Sequence, residues 1–144
     1  MKISILLPYK ENFSANYAGA VSLFVRDTTL HSKYKKDIHI FGNMDYKKPF
    51  LKNYVNIKLN NNILQSNSKK YVLNFVEKEK KINSDIIEIH NRPNYIQYLK
   101  DFKNKKIILY FHNDPLTMNG SKNVKDRLFL LNNIDKILFN SKWS

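Results

Sequence analysis

Four stretches of this 144-residue chain carry side chains that could do chemistry, and each follows an apolar run: Pro8-Tyr9-Lys10-Glu11, His90-Asn91-Arg92-Pro93, His112-Asn113-Asp114-Pro115 and Asn140-Ser141. The sharpest is His112-Asn113-Asp114-Pro115, behind Lys106-Ile107-Ile108-Leu109-Tyr110-Phe111. An imidazole there can hydrogen-bond a hydroxyl or titrate near neutral pH; it can equally be a strand-end histidine that satisfies backbone groups. His90-Asn91-Arg92-Pro93 ends Asp85-Ile86-Ile87-Glu88-Ile89 in the same way. Glu88, a carboxylate in an apolar run, reads either as an acid of raised pKa or as an edge carboxylate. His90, His112 and Asp114 would approach a metal site only if their strands were adjacent, and there is neither cysteine nor a helical His-x-x-x-His pair to support zinc. Gly19, before a helix, reads as a phosphate contact or as a plain helix-entry turn. Neither G-x-G-x-x-G nor a Walker pattern accompanies it.

The elements that must position these residues follow from hydrophobic periodicity. Lys2 to Leu7, closed by Pro8, predicts a strand buried on both faces. After the polar stretch Glu11 to Asn16, Val21, Phe24, Val25 and Thr28 fall at helical spacing within Tyr17 to Tyr34. Asp37 to Phe41 and Tyr54 to Leu59 predict a second and a third strand, with Asn60-Asn61-Asn62 as a loop. Ser68 to Ile82 predicts a helix with Val72, Phe75 and Val76 on its apolar face and Lys78, Lys80 and Lys81 near its C-terminus, where cations suit the dipole. Asp85 to His90 is a fourth strand, and Pro93 opens a further helix with Tyr95, Leu99 and Phe102 as its buried stripe. Lys106 to His112 is a fifth strand. Val124, Leu128 and Leu131 mark a last helix, and Lys136 to Asn140 a sixth strand.

Strands alternating with helices of 10 to 18 residues imply an α/β fold: a Rossmann-like, doubly wound and mainly parallel sheet of about six strands with helices on both faces. Ligands of such sheets bind beyond the carboxyl ends of the strands. His39, His90 and His112 are expected at or near such ends, and His31 late in a helix. Ser141 reads as the cap of another helix that Lys142-Trp143-Ser144 would begin, so the chain reads as a fragment of one domain, 1–144.

The formal charge is +13, nearly all from lysine, with Arg26, Arg92 and Arg127 the only arginines. So basic a surface can attract nucleic acid or anionic lipid. The accompanying Asn and Ile are also what an AT-rich genome encodes, which makes solvated lysine faces the blander reading. Aromatic residues between lysines from Tyr95 to Lys106 are better explained as a core stripe than as a base-stacking surface. No stretch approaches the roughly 20 apolar residues needed to span a bilayer, and no secretory signal precedes the first strand. The expectation is a cytoplasmic location, with any membrane contact peripheral.

In order along the chain, Ile3-Ser4-Ile5-Leu6-Leu7-Pro8, Ala18-Gly19-Ala20-Val21, Asp85 to Pro93, Ile108 to Pro115 and Ile137-Leu138-Phe139-Asn140-Ser141 resemble the N-terminal half of a family 4 glycosyltransferase of the two-domain GT-B fold. The resemblance implies an acceptor-side domain. A second domain, absent here, would hold the nucleotide-sugar and a pair of glutamates separated by seven residues. It implies a retaining transfer of a hexose from a nucleotide diphosphate sugar to a glycan or lipid-linked acceptor, as in cell-surface polysaccharide synthesis, with no bound metal and no cofactor beyond that co-substrate. By the same resemblance His112 is the catalytic histidine close to the transferred sugar, and Gly19 with Ala20 is the turn facing the donor diphosphate. His90, Asn91, Arg92, Asn113 and Asp114 would bind the acceptor. Ala18 stands where the family often has a first glycine. The rival expectation, from a different class, is a non-catalytic basic α/β module that docks on an anionic membrane or nucleic acid.

Overall fold

The structure is a computed structural model that describes residues 1–45, 48–59 and 64–141. The expected Asn60-Asn61-Asn62 loop and the helix expected after Ser141 lie outside the described residues. In chain order the elements are β1 (Ile3–Leu6), α1 (Ala20–His31), β2 (Ile38–Gly42), β3 (Tyr54–Asn56), α2 (Asn67–Ile82) and β4 (Ile86–His90). A 3-10 helix (Pro93–Tyr98), β5 (Lys106–Phe111), a short 3-10 helix (Pro115–Thr117), α3 (Val124–Asn133) and β6 (Lys136–Phe139) follow.

All six strands pair in parallel in the order β3-β2-β1-β4-β5-β6. This is the Rossmann-like α/β sheet expected from the alternation of elements, with β1 and β4 side by side where the order reverses. Right-handed crossovers put α1 on one face and α2 and α3 on the other, and the core divides accordingly. Val21 and Val25 of α1 pack with Ile5, Leu7, Ile38 and Ile40. Tyr71, Val72, Phe75 and Val76 of α2 pack with Leu6, Phe41, Ile87, Ile89 and Leu109. On the α1 side, Ile86, Ile108 and Leu138 are only half-buried.

Four expectations are corrected by the structure. The crossover from β4 to β5 is a 3-10 helix followed by tight turns, with Leu99 N donating to Ile96 O, Phe102 N to Leu99 O and Lys105 N to Phe102 O. Pro93, Ile96, Leu99 and Phe102 recur every third residue and all are buried; three residues per turn is the repeat that keeps them on one side. In α3 the expected stripe faces out: Val124, Leu128 and Leu131 are exposed, and Leu130 is the buried residue. Apolar residues surround most of that helix, so spacing alone did not select the face that Phe129, Leu130 and Ile134 win. In α1, Thr29 rather than Thr28 is buried, and His39 sits near the start of β2 instead of its carboxyl end.

One buried carboxylate joins both halves of the sheet. Glu79, in the last turns of α2, is fully buried. It accepts from Ser4 Oγ of β1, from Ser84 N at 2.8 Å and Ser84 Oγ at 2.5 Å just before β4, and faces Lys105 Nζ at 3.3 Å just before β5. The helix ends there on Asn83 in the left-handed conformation (φ 52°), which asparagine adopts at low cost.

Removing one partner of such a pair leaves a buried charge without compensation. Glu79→Ala is therefore expected to cost about 3–5 kcal/mol, read from the urea unfolding midpoint. Leu130→Ala is expected to cost about 2–5 kcal/mol, and Leu128→Ala to stay within about 0.5 kcal/mol. Equal costs at the two leucines would show that α3 is rotated from the orientation described.

Candidate functional site

The crevice beyond the carboxyl ends of β1 and β4 is where an open parallel sheet offers a site, and here it gathers the polar strand ends. Side chains alternate along β4, so Glu88 and His90 project on the α1 side together. Tyr110 of β5 lies opposite His90 in the register, and His112 follows two residues later on the same side. The result is a continuous chain of contacts: Glu88 Oε1 to His90 Nε2 at 2.5 Å, then His90 Nδ1 to His112 Nε2 at 2.8 Å. Phe24, one turn into α1, stands edge-on to His112 at 5.0 Å, and Tyr110 stacks on His112 at 4.7 Å and on His90 at 5.4 Å between ring centroids.

His90 is fully buried, whereas His112 is half-buried. Nε2 of His112 is the ring atom that meets His90. Burial, and then the positive charge of His90, push the His112 imidazole down to about 4, against a weaker opposing pull from Glu88. His112 is therefore neutral at pH 7. Burial, and then the Glu88 carboxylate, also raise the Tyr110 phenol.

Asn91 fixes the end of β5. It takes a left-handed backbone (φ 56°), its N–H donates to Tyr110 O, and its Oδ1 accepts from His112 N at 3.0 Å and Asn113 N at 3.3 Å. Beside it opens a cleft of about 380 Å³ lined by Asn91, Arg92, Asn94, Asn113, Thr117 and Asn119, among others. Amide and hydroxyl groups supply both donors and acceptors, the chemistry that recognises hydroxyl-rich ligands. Gly120, with φ 95°, closes the wall: a Cβ there would meet Asn94 N at 2.6 Å.

The structure thus brings Asn91, Arg92 and Asn113 into one cleft next to His112. It does not bring the other two expected acceptor residues into it. His90 has no surface to offer and serves His112 instead. Asp114 caps the short 3-10 helix, accepting from Leu116 N at 2.9 Å. Although β4 and β5 are adjacent, the two imidazole nitrogens face each other at hydrogen-bonding distance and the Asp114 carboxylate turns elsewhere, so the three do not form a ligand set. Glu88, in turn, is no isolated edge carboxylate. Its spacing of two from His90 was the available signal, since in a strand that spacing means one face.

Gly19 is the N-cap of α1 and Ala20 its first residue, at the same end of the sheet. The carboxylate of Glu11 already caps this terminus, accepting from Ser22 N at 3.2 Å. A Cβ on Gly19 would collide with Glu11 Oε1, so glycine is what lets the carboxylate approach. An anion at a helix N-terminus is favoured by the unpaired N–H groups and the dipole.

A histidine held below its unfolded value of 6.5 takes up protons more readily when the chain unfolds. Its contribution is complete above pH 6.5 and is lost as pH falls toward 4. Relative to the wild type, His112→Asn is expected to lose less stability between pH 6.5 and pH 4 in urea unfolding, and parallel profiles would contradict the depressed value.

The backbone compares with that of sucrose-phosphate synthase from Thermosynechococcus elongatus, with a TM-score of 0.58 and 14% sequence identity. The match covers 95% of this chain and 42% of that one, so the chain spans less than half the length of that structure. No protein-family model matches the sequence, and neither does any curated protein sequence. At this identity the likeness establishes the fold alone, a Rossmann-like parallel α/β sheet.

Proposed function

We propose that this chain is the acceptor-side half of a retaining family 4 glycosyltransferase that moves a hexose from a nucleotide diphosphate sugar to a glycan or lipid-linked acceptor. One observation carries the reading: at the carboxyl end of β5, one strand from the switch point between β1 and β4, His112 packs against Phe24 of α1 and His90 of β4, and its backbone N–H is held by Asn91, which lines an amide-rich cleft. The fold shared with a sucrose-phosphate synthase supports it.

In this reading the parts divide the work by their chemistry. The N–H groups at the start of α1, near Gly19 and Ala20, stabilise negative charge developing on the leaving diphosphate. Glu11 holds those same groups in this structure, so its carboxylate and a diphosphate exclude one another. His112, neutral and held by its neighbours, hydrogen-bonds the transferred sugar and orients it. With a pKa pushed down to about 4, it is too weak a base to remove a hydroxyl proton efficiently at pH 7. Asn91, Arg92 and Asn113 contact the acceptor through the cleft. Nucleotide recognition and the rest of the catalytic apparatus belong to a second domain.

The +13 charge adds a long-range term. A lipid-linked acceptor would lie on an anionic surface, toward which each nearby lysine contributes about 1 kcal/mol. No helix among the described residues is long and apolar enough to cross a membrane, so this contact is peripheral.

The test is sugar transfer by the product of the full reading frame containing this chain, assayed over a panel of nucleotide diphosphate hexoses. Loss of one preorganised donor costs about 10²-fold in kcat, and His112→Ala is expected to fall by about that factor. Unchanged turnover in the variant would remove His112 from the reaction. Absence of any turnover, together with salt-sensitive binding to nucleic acid or anionic vesicles, would favour the docking module.

A further inference from the structure

A guanidinium is costly to withdraw from water unless an anion faces it. Arg92, just past the carboxyl end of β4, is half-buried. Among the described residues it makes no ion pair: those of this chain fall on Arg26, Lys80, His90 and Lys105. We infer that Arg92 makes the amide-lined cleft selective for an anionic sugar, one whose ring hydroxyls meet the amides and whose carboxylate or phosphate meets the guanidinium.

The lining of the cleft shows the imbalance. Arg92 is the cation in it, and no aspartate or glutamate lines it. Four other surface clefts hold lysine, and each holds aspartate as well, so the two charges answer one another there. Asp114, next to the lining residue Asn113, turns its carboxylate to Leu116 N at 2.9 Å. The two other arginines are engaged by the fold itself. Arg26 pairs with Asp27 at 2.7 Å and lies over the Phe50 ring, and Arg127 donates to the carbonyls of Ser121 and Lys122, each at 3.0 Å.

Arg92 is also held in place. Its Nη1 donates to Asn91 O at 2.7 Å, and Asn91 is the residue whose Oδ1 holds the N–H groups of His112 and Asn113. That bond anchors the planar fork, and the N–H groups left over can meet two oxygens of one carboxylate or phosphate side by side, a match that lysine does not offer. The neighbouring amides supply donors and acceptors for ring hydroxyls. A neutral sugar uses the amides and leaves the guanidinium unanswered, whereas a sugar with one anionic group uses both. Arg92 is thus a specificity-determining residue. Its part in transfer rests on the reading of this cleft as the acceptor site, but the preference for an anion belongs to the cleft and can be measured without transfer.

The binding test titrates the 144-residue chain with glucose, glucuronate, a glucose phosphate and inorganic phosphate, followed in ¹H–¹⁵N spectra by Arg92 Nε–H and the side-chain amides of Asn94 and Asn113. One of the anionic sugars is expected to bind about 10-fold more tightly than glucose, and which of them does so identifies the anion as carboxylate or phosphate. In Arg92→Gln this advantage is expected to vanish with glucose binding unchanged, and in Arg92→Lys only part of it is expected to remain. Equal affinities for glucose and both anionic sugars overturn the inference, as does the absence of binding by any of them. A preference that survives Arg92→Gln overturns it as well, because another cation then holds the anion. So does inorganic phosphate that binds as tightly as the anionic sugars, because the amides then recognise no sugar. In the full-length enzyme, transfer to neutral acceptors without any anion preference in binding refutes this inference and leaves the transferase reading standing. An Arg92-dependent preference in a protein that transfers no sugar does the reverse.

Discussion

The Glu79 carboxylate is the interaction on which the geometry of this sheet rests. A charged group of zero exposure is tolerable only when its acceptor capacity is filled and a cation is near. Glu79 meets this by drawing on Ser4 in β1, Ser84 at the mouth of β4 and Lys105 at the mouth of β5. These are the amino ends of three neighbouring central strands. Once they are fixed relative to one another, parallel pairing carries the register upward: Leu6 opposite Ile89, His90 opposite Tyr110. The candidate site lies at the other end of those same strands. The buried Glu79 cluster and the candidate site thus stand at opposite ends of the same strands.

The site itself is built by a second layer of polar restraint. Asn91 accepts the left-handed backbone that ends β4 and uses its amide oxygen to hold the N–H groups of His112 and Asn113. Glu88 and His90 hold the His112 ring from the opposite direction, and Phe24 limits it from α1. Backbone and ring plane are thereby constrained by different neighbours. Restraint of this kind is preorganisation: it fixes a polar group in one orientation before anything binds. The Glu11 carboxylate at the start of α1 follows the same logic, giving unpaired N–H groups a partner at the place where an anionic ligand would be received.

The sequence by itself determined the six strands and the places of α1, α2 and α3, because apolar runs of four to six residues between polar ends can be buried on both faces only in a covered parallel sheet. It also drew attention to the residues that follow strands, which is how His112, Asn91 and Gly19 were singled out. Local periodicity lost its power where more than one face was apolar, as in α3, or where a period of three competes with 3.6, as from Pro93 to Phe102. What only the tertiary structure decided was adjacency. Strand order put β4 beside β5 and so set His90, which also contacts Glu88, against His112, and placed Glu79 within reach of Ser4, 75 residues away. Contacts between distant segments depend on which crossovers the chain takes, and no local pattern of residue types encodes that choice.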